Sequence, residues 1–362
     1  MLIGEFADSI GIRSTSRISA KGMAPVIAIL DSSEVLFRYD MDRKPGCREL
    51  KFTAVQMMTM VFYVEIKKLD VPGYIETFSG RGSQIILRNL GMPKDGRGRY
   101  IAPSVGWLSD FRNKEWRKFR KALEEETREA VLAMSEKTVY TVDSTPVEAS
   151  RYSAWADFNP HYRIRMAKAH IVMVDGIPAY HRVTNGNKGD NPEFLKILDE
   201  MGTGSVPSAA IHADGGYDSA ETYTKVFLST GKVMRGNPGC NAVFHKEYGW
   251  DNMLRRYARL HREDGFVPTP QASRGFVLRF LAGHGQDEAV GWFLRNLDIC
   301  RGSKARADGA RRRHVCETVH HGMKRWVDLT VRGLCRRYVG TRVSLRIFVC
   351  TILCVLFKPY SG

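Results

Sequence analysis

Residues 137–238 carry the pattern that most restricts how this 362-residue chain can fold. Apolar runs of strand length alternate there with amphipathic segments of helix length, and glycine turns separate several of them. The strands are predicted at 138–147, 163–175, 179–184, 208–213 and 232–235, and the helices at 191–201 and 219–229. The order β-β-β-α-β-α-β predicts a mixed sheet in which antiparallel strands come first and helix-connected strands follow.

The segments on either side of this pattern have a different character. Residues 1–136 are predicted to be mainly helical, with one strand at Val26–Leu30. Residues 239–306 are rich in Trp, Arg and Gly without a clear period and are interpreted as an insertion. Residues 307–362 are predicted to complete the core with an Arg-rich helix and a last apolar helix or strand. The element order is that of the RNase H-like fold, so the predicted class is α/β with an RNase H-like mixed sheet.

Three acidic residues stand in positions that predict a metal site. Asp143 follows an apolar run, and Asp214 follows another just before the turn G-G-Y-D, so both are expected at the ends of buried strands. Glu317 is expected on the helix 307–331. Carboxylates from two strands and a helix can hold two divalent cations and cut a phosphodiester. Each residue alone has a simpler interpretation, as a turn or cap for the aspartates and as a surface ion-pair partner for Glu317.

The helix that carries Glu317 also presents cations on the same side. Arg313 precedes Glu317 by four residues and Lys324 follows it by seven, and both spacings return to one face of an α-helix. Arginine suits bidentate phosphate contacts and lysine acts as a point charge, so this face predicts phosphate binding beside a metal. His320 and His321 have no other ligand motif nearby and are expected at the surface or facing nucleic acid.

The charge of the whole chain favours a polyanionic partner. Lys plus Arg number 55 against 39 Asp plus Glu, which gives a net charge of +16. Nucleic acid is the leading partner class and an anionic membrane surface the second. The seven cysteines form no C-x-x-C pair, which disfavours a disulfide framework and a zinc ribbon. The longest apolar run, 343–357, is about 15 residues long and contains Arg346, too short for a membrane span.

Motifs around the three acidic residues resemble those of a known enzyme family. The matching stretches are V-D-S-T (142–145), K-A-H-I-V-M-V-D-G-I-P (168–178), T-N-G-N-K-G-D (184–190) and A-D-G-G-Y-D (213–218). The chain resembles DDE-type insertion-sequence transposases, in the group whose third motif is Y-x2-R-x3-E-x6-K. That motif matches at Arg313, Glu317 and Lys324 and departs at Ala310, which stands where the family has tyrosine. The resemblance covers roughly 137–357.

The resemblance implies a DNA transposase with an RNase H-like catalytic core. Asp143, Asp214 and Glu317 would be both the catalytic residues and the ligands of two Mg²⁺ ions, with Mn²⁺ able to substitute. Asp143 would be shared by the two ions, and the cations of the Glu317 helix would bind DNA. A tryptophan of the insertion would stack on a flipped base near the cut, and Trp292 is our choice for it.

The resemblance also implies the partners. The N-terminal region would bind the terminal inverted repeats of the element through helices within 73–121. Eight basic and two acidic residues between Arg97 and Lys121 agree with that role. The enzyme would act as a homodimer on paired ends and then on target DNA. It would work in the cytoplasm, associated with the nucleoid and not with a membrane.

Two other functions stay open from the sequence. An RNase H-like endonuclease that cuts without strand transfer needs the same carboxylates. A joined product, or inverted repeats beside the coding region, would separate it from a transposase. A catalytically inactive DNA-binding relative would show salt-sensitive binding without metal-dependent cleavage. The complete set of three carboxylates favours an enzyme, whereas Ala310 in place of tyrosine keeps the inactive relative open.

Overall fold

A five-stranded mixed sheet forms the centre of the protein. The computed structural model describes residues 18–42, 51–134, 139–153, 155–160, 162–202, 210–238, 242–263, 273–301, 317–327, 329–331 and 336–357. The strands are β1 Tyr140–Glu148, β2 Asp157–Asn159, β3 Ile164–Val174, β4 Ile177–Asn185 and β5 Ile211–His212. β3 is antiparallel to β1, to β4 and, at its start, to β2, whereas β5 runs parallel to β1 at the edge of the sheet.

Helices precede the sheet, cover it and follow it. Before β1 the chain forms α1 Ala24–Asp31, α2 Glu34–Met41, α3 Ala54–Lys67, α4 Val71–Ser79, α5 Ser83–Asn89, α6 Val105–Asp110 and α7 Trp116–Ala133. After β4 it forms α8 Asp190–Met201, α9 Ala220–Thr230, α10 Trp250–Glu263, α11 Arg274–Gly283, α12 Asp287–Ile299, α13 at 317–326 and α14 Arg336–Phe357. β5 lies between α8 and α9, so the chain alternates between strand and helix in this part of the sheet.

Side-chain alternation along β1 and β3 divides the core in two. Val142 and Val172 are cross-strand partners and belong to a core built with α8, α9 and the helices of 239–306. Ile171, one position along, belongs to a second core built with the N-terminal helices and α14. Asp143 is the cross-strand partner of Ile171. Because successive residues of a strand point to opposite faces, Asp143 lies on the face of the sheet that carries the second core.

The first three predicted strands coincide with observed ones, and the last does not. β1, β3 and β4 overlap the predictions 138–147, 163–175 and 179–184. The prediction 232–235 is reduced to a single bridge between His212 and Arg235. β5 is only two residues long, so it offers little edge on which a further strand can pair. The observed mixed sheet with helices is compatible with an RNase H-like fold.

The expectation of a strand at Val26–Leu30 is wrong. These residues lie in α1, where Val26 and Leu30 are four residues apart and both are buried. A short apolar run does not distinguish a strand from a buried helix. Pro25 stands in the first turn of α1, where its fixed φ suits helix initiation. The other described residues before β1 are also mainly helical.

The N-terminal helices pack directly against the last helix of the chain. The ring of Phe348 in α14 lies 5.9 Å from that of Phe62 in α3 and 5.2 Å from that of Trp116 in α7, measured between centroids. The same hydrophobic core includes Ile171 and Met173 on one face of the sheet. The helices before β1 therefore bury their apolar side chains together with the sheet and α14.

α14 is a helix of the protein core. Its stretch Tyr338–Leu356 is long and apolar enough to cross a membrane, with a mean hydropathy of 1.9, but 78% of that window is buried inside the protein. Arg346, which interrupts the apolar run, donates from Nε to Glu65 of α3 at 2.8 Å. Arg112 binds the same carboxylate. The apolar residues of α14 are thus covered by protein, and its buried cation has a partner.

The described residues of 239–306 are mainly helical, where the sequence showed no clear period. The helices α10, α11 and α12 lie within it. In α10, Met253 and Tyr257 are buried four residues apart, while the arginines between and beyond them are exposed or half-buried. The high arginine content hides this period, because the apolar face of α10 is narrow.

Candidate active site

Asp143 and Asp214 occupy equivalent positions on neighbouring parallel strands. The register pairs Tyr140 with Ile211 and Thr141 with His212. Asp143 lies two residues after Thr141, and Asp214 lies two residues after His212. The backbone of Asp214 is still extended, with φ −91° and ψ 179°, so the direction of β5 continues to it. The two side chains are therefore placed on the same face of adjacent strands. The expectation that Asp143 lies at the end of a buried strand is wrong, because β1 continues past it to Glu148, whereas Asp214 follows the end of β5.

Each aspartate uses one carboxylate oxygen to order its own backbone. Oδ1 of Asp143 accepts a hydrogen bond from the backbone N–H of Ser144 at 2.7 Å. Oδ1 of Asp214 accepts from the N–H of Gly216 at 2.8 Å and caps the short 3₁₀ turn Gly215–Tyr217. Oδ1 of Asp214 thus caps the turn, as the simpler interpretation of this residue predicted. In the part of the chain that the structure describes, Oδ2 of Asp214 makes no hydrogen bond and is available to a ligand.

Helix α13 lies over Asp143. Nδ1 of His320 is 3.7 Å from Oδ2 of Asp143, and His320 is only 6% exposed. Met323 and Val327, on the adjoining side of the helix, are fully buried in the core with Ile171. The expectation that His320 lies at the surface is wrong. The helix that carries Glu317 packs with His320 directly on the first predicted metal ligand.

Opposite charges flank His320 on α13. Burial lowers the pKa of His320 to about 4, with the ammonium of Lys324 adding to the shift and the carboxylate of Glu317 opposing it. Residues three and four apart face the same side of a helix, so Glu317, His320 and Lys324 form one stripe over the sheet. Glu317 and Lys324 are exposed, and partial desolvation lowers the pKa of Lys324. His320 is neutral at pH 7 and lies between the acidic Glu317 and the basic Lys324.

The three carboxylates do not form one cluster. Among the described residues, no three His, Cys, Asp or Glu side chains stand close enough together to hold a metal ion. The strand register sets the backbone positions of Asp143 and Asp214 beside each other, whereas Glu317 is exposed at the first described residue of α13. Arg313 and Ala310 lie outside the described residues. The register thus pairs the positions of two predicted ligands, and the helix of the third packs on Asp143 through His320.

The donor atoms present suit a hard divalent cation. Mg²⁺ prefers oxygen ligands, keeps several waters, and is usually held by one or two carboxylates together with substrate phosphates. Asp143 and Asp214 offer two carboxylates on one face of the sheet. The repulsion between two like-charged carboxylates favours the binding of a cation beside them. The site thus fits Mg²⁺ or Mn²⁺.

A fourth carboxylate, Asp190, lies near Gly216 of the turn after Asp214 and is held by an ion pair. It lies at the start of α8 and receives Nζ of Lys168 at 2.8 Å and Nδ1 of His170 at 3.2 Å. Burial alone would raise the pKa of Asp190, but hydrogen bonds from His170, Lys168 and Ser144 outweigh it and hold the pKa below its usual range. A carboxylate engaged in this way positions the strands and is a poor metal ligand. Sequence reasoning missed it, although Lys168 and His170 alternate correctly for one face of β3.

Trp292 lies on α12 within an aromatic surface. It is half-buried, stacks on Tyr248 with ring centroids 6.4 Å apart and planes 24° apart, and lies 4.5 Å from the ring of His245. The guanidinium of Arg295 lies over the indole at 5.2 Å. Nε1 of Trp292 donates to Glu288 at 3.2 Å. Aromatic faces beside a cation form a surface on which a nucleobase can stack.

A second cluster of polar side chains contains the residue types of a hydrolase triad but cannot act as one. Nε2 of His181 lies 2.6 Å from Oγ of Ser344, and that hydroxyl donates to Glu124 at 2.8 Å. Ser344 is fully buried in α14, and burial lowers the pKa of His181. Since the hydroxyl proton goes to Glu124, Nε2–H of His181 must donate to Ser344. No substrate can reach this serine, so the group joins α14 to α7 and β4.

Comparison with known proteins places most of the chain in one family. Residues 134–352 match the family model described as the transposase DDE domain. The matched range contains all five strands, Asp143, Asp214 and Glu317, and it ends within α14. Searches among curated proteins and among solved structures found no match.

Proposed function

The chain belongs to the transposase DDE domain family, and on that premise we propose that it cuts the ends of an insertion sequence and joins them to target DNA. In the first step water attacks the phosphodiester at the element end, and the P–O bond to the element's 3′ oxygen breaks. In the second step the freed 3′-hydroxyl attacks a target phosphodiester and displaces its 3′ oxygen. One P–O bond forms for each that breaks, so neither step needs a co-reactant other than water.

The equal register of Asp143 and Asp214 supports this proposal most strongly. Two like-charged carboxylates on one face of neighbouring strands repel each other, and a bound cation would offset that repulsion. Asp143 lies on the inner strand and would contact both of two ions, whereas Asp214 would contact one. When bound, the ions would activate the attacking oxygen and stabilise the leaving one.

Glu317 is the third proposed ligand. Its helix already contacts Asp143 through His320, one helical turn away. Three carboxylates repel each other without cations, so an outlying Glu317 agrees with a site that completes itself when metal and DNA bind. The buried, neutral His320 would hold α13 in place while the first turn of the helix adjusts. This arrangement, with the mixed sheet, supports an RNase H-like catalytic core.

The positive and aromatic groups around the site support DNA as the substrate. Lys324 lies on the same stripe of α13 as Glu317, and Arg313 precedes that stripe by one turn in the sequence. We assign both to phosphate contacts, in keeping with the Y-R-E-K group of transposases although Ala310 replaces the tyrosine. Trp292, with Tyr248 beside it, would stack on a base flipped out near the cut.

The N-terminal region supplies the proposed contacts to the element ends. In α5 and the hairpin that follows it, the exposed side chains include Ile85, Arg88, Lys94 and Arg97. Residues 1–136 would bind the terminal repeats, 137–238 and 307–362 would form the catalytic core, and 239–306 would be its insertion. A homodimer would hold paired ends, and the protein would act in the cytoplasm at the nucleoid.

A strand-transfer assay on element ends with Mg²⁺ tests the proposal. The variants Asp143→Asn and Asp214→Asn keep the side-chain oxygen that accepts the backbone N–H but remove the charge that would bind a cation. We expect each to lose more than ~100-fold in cleavage and joining. The matched control, Asp251→Asn on the exposed side of α10, should keep wild-type rates.

The products separate the proposal from its alternatives. Cleaved ends without joined product would identify an endonuclease of the same fold. Salt-sensitive DNA binding by the wild type without any cleavage would identify an inactive relative. Wild-type rates in either aspartate variant would reject the proposed site.

A further inference from the structure

One ion pair joins the turn after Asp214 to the helix that carries Trp292. Arg295 of α12 donates from Nε to Oδ1 of Asp218 at 2.6 Å and from Nη2 to Oδ2 at 2.8 Å. Both side chains are largely buried, with 10% and 14% of their surfaces exposed. A two-pronged pair of this kind fixes the relative orientation of its partners as well as their distance. Ordinary surface ion pairs do not have this property.

Asp218 is coupled to Asp214 by a closed turn. The N–H of Tyr217 donates to the carbonyl of Asp214 at 3.2 Å, and the N–H of Asp218 donates to the carbonyl of Gly215 at 3.3 Å. The carboxylate of Asp214 closes the same turn from its other side through the N–H of Gly216. Tyr217 is buried against the ring of Phe194. The turn therefore moves as a unit, and a shift at Asp218 reaches the carboxylate of Asp214.

The other side of Arg295 faces the aromatic surface. Its guanidinium lies 5.2 Å from the centre of the Trp292 indole ring. Its Nη1 donates to the carbonyl of Val243 at 2.9 Å, two residues before His245, which contacts the same indole. One guanidinium thus contacts Trp292, the carbonyl of Val243 and Asp218 in the turn after Asp214.

The helices around this pair are in direct backbone contact. A Cβ atom placed on Gly291 would lie only 2.0 Å from the carbonyl oxygen of Ala220, so α12 and the start of α9 touch without side chains between them. Further along α12, Asp298 accepts from the hydroxyl of Tyr223 at 2.7 Å and from the N–H of Gly236 at 2.9 Å. α12 is therefore fixed to α9 at both sides of Arg295.

We propose that Arg295 is a positioning residue that links occupancy of the Trp292 surface to the placement of Asp214. This inference rests on the proposed function. Arg295 already binds Asp218 without DNA. A base that stacks on Trp292 would compete for the indole face that Arg295 covers, leave the guanidinium to Asp218 and so hold the turn of Asp214 more firmly. Because coupling between two sites is reciprocal, a cation at Asp214 also favours the stacked base.

Two measurements on the full-length protein test the link. The first is the Mg²⁺ concentration that gives half-maximal cleavage. The second uses Ca²⁺ instead of Mg²⁺ and an element end carrying 2-aminopurine at the flipped position, whose fluorescence reports stacking. The variants Arg295→Lys and Asp218→Asn each remove the two-pronged geometry but keep a polar group of similar size. We expect the half-saturating concentration of both cations to rise about tenfold in each variant.

The double variant and a matched control make the test specific. If the pair acts as one unit, the double variant should be no worse than the poorer single variant. Arg182→Lys removes a comparable guanidinium contact, to Glu193 on α8, and should lower thermal stability without changing either cation requirement. A cation requirement within twofold of wild type in both single variants would overturn the link and leave the proposed function standing. Absence of Mg²⁺-dependent cleavage by the wild type would overturn both.

Discussion

The two oxygens of Asp214 have different roles in the proposed site, and this determines which changes near it are tolerated. Oδ1 closes the turn through the N–H of Gly216, and Oδ2 is the oxygen that we propose binds a cation. A Cβ atom on Gly216 would lie 3.0 Å from Oδ1 of Asp214, a tighter contact than side chains normally make. The neighbouring Gly215 is less confined, since its nearest contact would be the carbonyl oxygen of Asn237 at 3.7 Å.

Adjacent glycine substitutions test this geometry. We expect Gly216→Ala to displace the Asp214 carboxylate by a few tenths of an ångström and to slow cleavage about tenfold, because small displacements of catalytic groups have large effects. Gly215→Ala should leave the cleavage rate near that of wild type. Both variants should stay within ~0.5 kcal/mol of the wild-type free energy of unfolding, measured by urea denaturation. Equal rates in the two variants would contradict this account of Asp214.

At the scale of secondary-structure elements, the sequence predicted those strands whose two faces are both strongly buried. β1, β3 and β4 were predictable because their apolar runs are continuous and bounded by turns. The strand expected at Val26–Leu30 was wrong because a short apolar run also fits the buried side of α1. α10 was missed because its apolar face is narrow among several arginines.

The candidate site was predictable to the same extent. Asp143 and Asp214 stand at the ends of apolar runs, and the register of two parallel strands brings them together. The burial of His320 on Asp143 was not predictable, because a histidine in a basic helix gives no local signal of its tertiary partner. The pair Arg295–Asp218 joins positions far apart in the sequence, so only the fold reveals it.

The contact between α12 and α9 depends on Gly291, because glycine has no side chain to hold the two helices apart. Gly291→Ala would force the two backbones apart, because its Cβ would lie 2.0 Å from the carbonyl oxygen of Ala220. We expect a loss of ~1–3 kcal/mol in the free energy of unfolding, typical of overpacking. Gly275→Ala in α11 is the control, since it meets nothing within 4 Å and should be neutral or slightly stabilising. Denaturant unfolding measures both, and similar losses in the two variants would argue against the close approach.

The buried group around α14 predicts a pH dependence of stability. Burial lowers the pKa of His181, and the carboxylate of Glu124 opposes this only in part. The unfolded chain takes up a proton near pH 6.5 whereas the folded protein resists it, so the contribution of His181 to stability is lost as pH falls below about 6.5. The slope for one such proton is at most about 1.4 kcal/mol per pH unit.

The variant His181→Gln isolates this effect. Its unfolding free energy, measured by urea denaturation between pH 7.5 and 5, should fall less steeply than that of the wild type. His321→Gln removes an exposed histidine of α13 and should keep the wild-type slope. A wild-type slope in His181→Gln would show that this histidine is not the group resisting protonation.

For the whole molecule, one sheet organises both the stability and the proposed chemistry. One face of β1 and β3 packs with α8 and α9, and the other packs with the N-terminal helices and α14. α13 packs on Asp143 through His320, and α12 is joined by Arg295 to Asp218 in the turn after Asp214. The net charge of +16 favours a polyanionic partner.

The central claim is that Asp143 and Asp214 together bind a divalent cation. Electron paramagnetic resonance of free Mn²⁺ during titration of the full-length protein measures that binding directly. The account predicts that Asp143→Asn and Asp214→Asn each weaken Mn²⁺ binding by about tenfold or more, while Asp251→Asn leaves it unchanged. Wild-type Mn²⁺ affinity in both aspartate variants would contradict the claim.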